Sequence, residues 1–318
     1  MKVIIWGSRG SLPASSKAEM VRKKIVNAIN LAKTYNFKTR SEIEYFLDYE
    51  LSFAASKTYG TNTSCAELRN NNEYEYFILD AGSGLRDFGN YIMKSGKKNI
   101  HVHILLSHMH WDHIHGFPYF LPAYVKGNKI DLYGCHDNIA DIFIKQQEQP
   151  FFPAPFDSMK ADINFNQLKP DINYKIAGYE IYSIKQNHPG QSYGYSIEKN
   201  GKKVVFSTDS EHDLDTVNTL KPFINFFNNA DLLIFDAQYT LLDVIQTKKN
   251  WGHSSNVVGV ELSVKAGVKH LCLFHTEPTH TDEMLDNILK DTRTYRSMYA
   301  DSYPLQISLA YDGMEIDI

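Results

Sequence analysis

The densest chemistry in the sequence lies between Ser107 and Gly116, which reads S-H-M-H-W-D-H-I-H-G. Within it His108, His110, Asp112 and His113 set four ligand-type side chains side by side. Two imidazoles spaced by one residue can face the same way, and a carboxylate and a further imidazole follow two and three residues later. That pattern suits two adjacent divalent metals better than one. A single histidine here would read as a core or surface residue, but four such groups together do not.

Those side chains need a rigid support. The apolar run Ile100 to Leu106 alternates Val102 and Ile104 with His101 and His103, the period of a strand, so the cluster is expected at a strand end. Other strand ends carry matching groups. Asp80 follows the run Tyr74 to Leu79, Asn187-His188-Pro189-Gly190 and Thr208-Asp209-Ser210 follow two later runs, Asp236 follows another, and Leu271 to Phe274 leads into His275. Strand ends are where α/β sheets gather ligands. The expected assignment is His108, His110 and His188 on one metal, Asp112, His113 and His275 on the other, and Asp209 between them. Asp112 is expected to serve catalysis as well as ligation, and Asp80 to hold the histidine loop in place. Nitrogen and oxygen donors suit Zn²⁺, Mn²⁺, Fe²⁺ or Co²⁺ and do not choose among them; Zn²⁺ is the first expectation. Two such ions roughly 3.5 to 4 Å apart would turn a shared water into hydroxide near neutral pH.

The remaining chain reads as strands with helices between them. Val3 to Trp6 is a first strand. Ser15 to Lys57 carries apolar residues at helical spacing, first Val21, Ile25, Ala28, Ile29 and Ala32, then Ile43, Phe46, Leu47, Leu51 and Phe53, and is expected to be an inserted helical hairpin serving as packing, cap or dimer contact. Ala66 to Arg69 and Tyr74 to Leu79 form a hairpin closed by Asn70 to Glu73. Further strands are expected at Lys129 to Tyr133, Glu180 to Lys185, Tyr193 to Ile197, Lys203 to Ser207 and Leu232 to Phe235. Helices are expected at Asn138 to Gln146, Leu214 to Phe227, Asn256 to Ala266 and Asp282 to Tyr295. Gln149 to Phe156, Q-P-F-F-P-A-P-F, is a loop whose aromatics either pack on the core or wall a base or sugar. No linker interrupts the pattern, so residues 1–318 are expected to form one domain.

Composition narrows the setting. With 43% hydrophobic and 22% charged residues the chain is ordinary globular protein, and a net charge of −4 argues against a strongly basic grip on nucleic acid. Cys65, Cys135 and Cys272 are too scattered for a disulfide framework or a zinc finger. The opening M-K-V-I-I-W-G lacks the features of a signal peptide, and no apolar run reaches membrane-spanning length. A cytoplasmic protein with no membrane partner is expected.

Asp80, His108 to His113, His188, Asp209 and His275 match, in order, the five motifs of the metallo-β-lactamase-fold hydrolases, and the chain resembles that family over nearly its whole length. The resemblance implies an α/β, four-layer αββα sandwich of two similar halves, with the metals at one edge of the sheets and the N-terminal helical segment at about 15–57 as an insertion. Asp236 in I-F-D-A-Q-Y-T and His253 in W-G-H-S-S resemble the acidic residue and histidine of the ribonuclease Z and phosphodiesterase branch. There the histidine, oriented by the carboxylate, is taken to protonate the leaving oxygen. The logic stands on its own, since an oriented imidazole titrates near neutral pH, although a cap for the helix beginning near Asn256 is the other role open to His253.

The similarity is closest to small bacterial phosphodiesterases with G-x-R-G-S, G-N-T-S-C, H-P-G-x-x-Y-G-Y, D-A-Q-Y-T and G-W-G-H-S-S patterns. This chain has Gly7 to Ser11, Thr61 to Cys65, His188 to Tyr195, Asp236 to Thr240 and Asn250 to Ser255 in those places. Thr61 replaces a usual glycine and Ser196 a frequent arginine, departures that bear on substrate contacts. Arg9, Asn62 and Tyr193 are the expected substrate contacts, with turn stabilisation as the alternative for the first two. The resemblance implies a dinuclear phosphodiesterase for a small cyclic nucleotide or cyclic phosphate, working as a homodimer. Ribonuclease Z action on tRNA is the runner-up, disfavoured because a polyanion needs clustered Lys and Arg. A thioester or β-lactam hydrolase would not need Asp236 and His253, and a metal-binding scaffold would need neither activation nor proton donation.

Overall fold

A computed structural model describes residues 1–69, 72–212, 217–248 and 250–318. Among the described residues there are fourteen strands, with helices between several of them: β1 (Lys2–Gly7), β2 (Cys65–Arg69), β3 (Glu75–Leu79), β4 (His101–Leu105), β5 (Lys129–Gly134), β6 (Asp162–Gln167), β7 (Asn173–Ile176), β8 (Tyr179–Lys185), β9 (Tyr193–Lys199), β10 (Lys202–Ser207), β11 (Leu232–Asp236), β12 (His270–Phe274), β13 (Gln306–Leu309) and β14 (Glu315–Asp317). They form two seven-stranded sheets, β14-β1-β2-β3-β4-β5-β6 and β13-β12-β11-β10-β9-β8-β7.

The two sheets repeat one pattern. Pairing is antiparallel from β14 to β3 and parallel from β3 to β6. In the second sheet it is antiparallel from β7 to β10 and parallel from β10 to β13. The parallel strands β3 and β4 of one sheet, and β10, β11 and β12 of the other, therefore end at a common edge. That edge receives every strand-end group singled out from the sequence.

Alternation along the strands builds three apolar layers. Phe77, Leu79, Tyr179, Tyr195, Phe206 and Phe274 fill the space between the sheets. Ile78, Val102 and Ile104 face outward onto Leu85, Phe88 and Phe143, while Val205 and Phe235 pack under Phe227, Val260 and Leu285. Helices thus cover both outer faces, giving the αββα sandwich. The three cysteines are buried and unpaired, and no described helix is long and apolar enough to cross a membrane.

The N-terminal segment is helical but packs differently from the expected stripe. Helix Ala18–Ala32 buries none of its residues, and Val21, Ile25 and Ile29 are exposed. Polar contacts tie it down: Lys23 pairs with Glu283 at 2.9 Å, and Lys24 reaches Asp282 and the Lys57 carbonyl. The following turns, Arg40–Tyr45, Phe46–Glu50 and Phe53–Ser56, do bury Phe46, Leu51 and Ala54. Asn70 and Asn71 of the expected hairpin turn, and the start of the helix expected from Leu214, lie outside the described residues; that helix is described over Val217–Phe227.

Candidate metal centre

Beyond β4, Ser107 and His108 are buried, His110 starts a short helix at Trp111–Ile114, and that turn carries Asp112 and His113 inward. Across the edge, Asp209 follows β10 and His275 follows β12, while His188 lies between β8 and β9. Asp80, Asp209 and His275 all adopt positive φ, at 60°, 47° and 59°. Non-glycine residues reach this region at a cost of about 1 kcal/mol or more, and do so where surrounding contacts hold them. Here the reversal turns each side chain from the strand end towards the same point.

Four donor atoms converge on one side of Asp209. His113 Nε2 is 3.1 Å from His275 Nε2, 3.3 Å from Asp112 Oδ2 and 3.3 Å from Asp209 Oδ1. On the other side His188 Nε2 is 3.2 Å from His110 Nδ1, and Asp209 Oδ2 is 3.6 Å from His108 Nε2 and 3.8 Å from His188 Nε2. Ligands of a tetrahedral Zn²⁺ at about 2.0 to 2.2 Å stand roughly 3.3 to 3.6 Å from one another, close to these separations. His108, His110, His188 and Asp209 form one group able to hold an ion, and Asp112, His113 and His275 another.

Hydrogen bonds on the far side of the rings decide which nitrogens carry lone pairs. His113 Nδ1 lies 2.6 Å from Asp80 Oδ2, and His188 Nδ1 lies 2.8 Å from the Gly252 carbonyl. Each Nδ1–H donates outward, leaving Nε2 as an acceptor that faces other acceptors. His108 Nε2 is buried without a hydrogen-bond partner among the described residues. Lone pairs set against lone pairs and carboxylates need a cation between them, so the residues fit divalent metal.

The electrostatics agree. Burial lowers the proton affinity of His113, but Asp209, Asp112 and Asp80 outweigh it and lift its pKa well above the ordinary value. Burial and the neighbouring His113 hold His108 well below its ordinary value. Asp209 stays ionised against burial because His113, His275 and His108 surround it. The field that favours a proton on His113 equally favours a divalent cation among these atoms.

Asp236 and His253 stand beside this cluster. His253 Nδ1 is 2.9 Å from Asp236 Oδ2, and its ring stacks on that of His275 at 5.3 Å. Asp236 also accepts from the backbone N–H groups of Ser210 and Gln238, so it is fixed before it meets the imidazole. Burial opposes the charged imidazole, but Asp236 overrides it and pushes His253 up to about 9. The helix at Asn256–Lys265 is capped by Ser255, whose side chain accepts from Val258 N–H. His253 is therefore free of that capping role.

Asp80 is the anchor of the histidine loop. Besides His113, it accepts from Ser107 N–H at 2.8 Å, Ser107 Oγ at 2.9 Å and Ser64 Oγ at 2.8 Å. Two of the three residues expected to meet substrate, Arg9 and Asn62, have their side chains engaged inside the fold instead. The Arg9 guanidinium donates to the carbonyls of Gly60, Glu277 and His280 and lies 3.7 Å from Asp282. Asn62 donates to Asp87 and accepts from Ser83. Tyr193 packs edge-on against His136, and its backbone N–H donates to the Ser107 carbonyl, joining the two halves beside His108. Arg9 and Asn62 therefore serve the turns they sit in, because a polar side chain already satisfied internally has little left to offer a ligand.

Several supporting residues were not apparent beforehand. Ser11 N–H donates to Asp112 Oδ2 at 2.8 Å, and Gly10 sits so close to His275 that a Cβ would lie 2.6 Å from its ring. The Gly7 to Ser11 turn thus braces two ligands, and the glycines in the quoted motif were the available signal. Glu211 accepts from Asn250 and Gly252 N–H groups, fixing the carbonyl that orients His188. Gly252 has φ +86°, and a Cβ there would meet His188 Nδ1 at 2.5 Å. Gly252→Ala is expected to weaken metal binding more than tenfold, on the scale of lost support for a ligand, as measured by competition with a chromogenic chelator. Unchanged affinity would mean that His188 does not need this contact.

A family model described as a beta-lactamase superfamily domain matches residues 76–276, more than half of the chain. Ribonuclease Z of Picrophilus torridus is 24% identical over 289 residues, covering 71% of this chain and 82% of that protein. Among solved structures, the metallo-beta-lactamase fold protein YhfI from Bacillus subtilis superposes with a TM-score of 0.66 at 20% identity, covering 99% of this chain and 98% of that one. Human tRNase Z, short form, gives 0.62 at 17% identity, with coverages of 100% and 99%. With its sandwich, its converging strand-end ligands and this match, the chain belongs to the beta-lactamase superfamily.

Proposed function

We propose that the chain is a dinuclear-metal phosphodiesterase acting on a small cyclic nucleotide or related cyclic phosphate. The observation that carries this reading is the fixed Asp236–His253 pair beside two ligand groups, Asp209 belonging to the first and standing 3.3 Å from His113 and His275 of the second. His108, His110 and His188 would hold one ion, Asp112, His113 and His275 the other, and Asp209 both. When bound, the ions, Zn²⁺ being the first choice, supply an activated water and neutralise phosphate charge. The chain's own residues do the rest. Asp80 and the Gly252 carbonyl set the ring orientations, and Asp236 holds a proton on His253 Nδ1 so that Nε2–H can be given to a leaving oxygen.

A small substrate is favoured by how the chain spends the residues between His113 and His188. They build β5 to β8, helix Ile139–Gln146 and a loop from 147 to 161. That loop closes a cavity of about 570 Å³ next to the histidine turn, lined by Met109, Trp111, Tyr119, Lys145, Phe151 and Phe152. Its size suits one small organic group, and its aromatic faces suit a base, as does the exposure of Trp111 and Phe151. Ribonuclease Z action is the second reading, supported by the name of the Picrophilus relative.

Metal-reconstituted protein assayed on bis(p-nitrophenyl) phosphate, a panel of cyclic nucleotides, a pre-tRNA and a thioester separates these readings. Turnover of the first two with a kcat/KM for the best cyclic nucleotide at least tenfold above that for pre-tRNA is expected. Faster cleavage of pre-tRNA would overturn the small-substrate reading, and thioester hydrolysis alone would overturn the phosphodiesterase.

A further inference from the structure

The parallel strands that deliver ligands at their C-terminal ends carry a second set of metal-type side chains at the opposite ends. Glu75 begins β3 and pairs in register with His101 at the start of β4, and His103 pairs with Asp131 in β5. Residues in register on neighbouring strands point to the same face, as do residues two apart on one strand. Glu75, His101, His103 and Asp131 therefore form a patch on the face that looks towards the other sheet. His103 and His108 are five residues apart, so the patch lies roughly 15 Å from the first centre at ~3.3 Å per residue.

The contacts within the patch resemble those of a ligand set. One donor atom from each of Glu75, His101 and His103 lies within 4.8 Å of the other two. The two imidazole rings are crowded, with centroids 3.9 Å apart. Each is held from behind: His101 Nε2 is 2.7 Å from Asp131 Oδ2, and His103 Nδ1 is 3.2 Å from the Tyr133 hydroxyl. Asn164 donates to Asp131 Oδ1, and Lys129 Nζ lies 3.2 Å from Oδ2, so this carboxylate is fixed and partly neutralised. Metal-bound histidines characteristically donate their other ring nitrogen in this way.

The Glu75 contact is the informative one. Its Oε1 stands 3.4 Å from His103 Nε2, long for a charge-assisted hydrogen bond, which is usually 2.7 to 2.9 Å, but close to the separation of two ligands on one tetrahedral ion. Tyr133 can donate to Asp131, 3.4 Å away, and His103 Nδ1–H to Tyr133. That arrangement leaves the Nε2 lone pair aimed at a carboxylate oxygen. Glu75 and His101 keep side-chain exposures of 29%, enough to leave an entry path.

We infer that Glu75, His101 and His103, oriented by Asp131 and Tyr133, form a further divalent transition-metal site, of Zn²⁺ type, at the end of the sandwich remote from the catalytic edge. Two nitrogens and one carboxylate oxygen select this class over Mg²⁺ or Ca²⁺. By joining β3 to β4, the ion would brace the first sheet and take no part in turnover. The inference does not depend on which substrate the catalytic edge accepts.

Chelator-stripped protein reloaded with Zn²⁺, desalted and measured by inductively coupled plasma mass spectrometry tests it. His101→Asn/His103→Asn should bind one equivalent fewer than wild type, with unchanged turnover of bis(p-nitrophenyl) phosphate and a lower melting temperature only in the Zn²⁺-loaded state. Because His103 is buried, Glu75→Gln serves as the second variant, expected to weaken the weakest-bound equivalent at least tenfold without changing the melting temperature of the metal-free protein. Equal metal content and equal affinity in wild type and Glu75→Gln would overturn the site and leave the patch as a hydrogen-bond network.

Discussion

Asp209→Ala is expected to lose bound metal from both ligand groups and to lower turnover of bis(p-nitrophenyl) phosphate by roughly 10³ or more, several kcal/mol of lost Lewis-acid and nucleophile activation. One side chain reaches both sides of the site: Oδ1 lies 3.3 Å from His113 Nε2 and 3.3 Å from His275 Nε2, and Oδ2 faces His108 and His188. Truncation removes a donor from each group. It also removes the negative charge that lets five imidazoles, three of them buried, stand around one point. Backbone strain is a second consequence, since Asp209 has φ 47° and alanine tolerates that region poorly. Asp209→Asn separates the two effects, because asparagine accepts the backbone conformation but brings no charge. Metal content near half or below in both variants, with intact far-ultraviolet circular dichroism, is the expected outcome. Full metal and full turnover in Asp209→Asn would remove Asp209 from the role of shared ligand.

Which features could be read from the sequence follows from where the physical constraints act. Central strands such as β11 and β12 are buried throughout, so they must be apolar along nearly their whole length, and their runs stand out. The four strands that escaped notice, β6, β7, β13 and β14, are the four sheet edges. An edge strand has one neighbour and a more exposed face, so D-I-N-F-N-Q at Asp162–Gln167 and E-I-D at Glu315–Asp317 carry too little hydrophobic signal. The ligand residues were visible for a different reason. Imidazole and carboxylate at the ends of apolar runs are costly unless they are used, and seven of them recur in that position.

The supporting contacts were harder to see because they come from backbone atoms, which every residue has. Ser11 N–H on Asp112 and the Gly252 carbonyl on His188 cannot be told from composition. Arg9 shows the converse error. A guanidinium in a turn beside a phosphate site suggests an anion contact, yet this one is 3% exposed and donates to three carbonyls that hold the turn itself. Burial decided its role, and burial is a property of the fold. The exposed stripe of helix Ala18–Ala32 makes the same point, since helical spacing predicts a face but not what covers it.

His253→Ala should separate metal binding from proton donation. His253 meets Asp236 through Nδ1 at 2.9 Å and presents its ring beside His275 and His188, so under the proposed function the other nitrogen is the one that would protonate a leaving oxygen. General acid catalysis is worth about 10² to 10⁴ in rate when the leaving group is poor. A nitrophenolate leaves without a proton, whereas a sugar alkoxide does not. His253→Ala is therefore expected to lower kcat on a cyclic nucleotide by about 10² or more while losing less than roughly tenfold on bis(p-nitrophenyl) phosphate, with metal content unchanged. Asp236→Asn should follow the same pattern more weakly, because it keeps a hydrogen-bond partner for Nδ1 but no charge to hold the imidazolium. The same proportional loss on both substrates would mean that His253 supports the ligands and donates no proton. A loss of metal in His253→Ala would give it a ligand's part instead, since it lies within reach of Asp209 and His275.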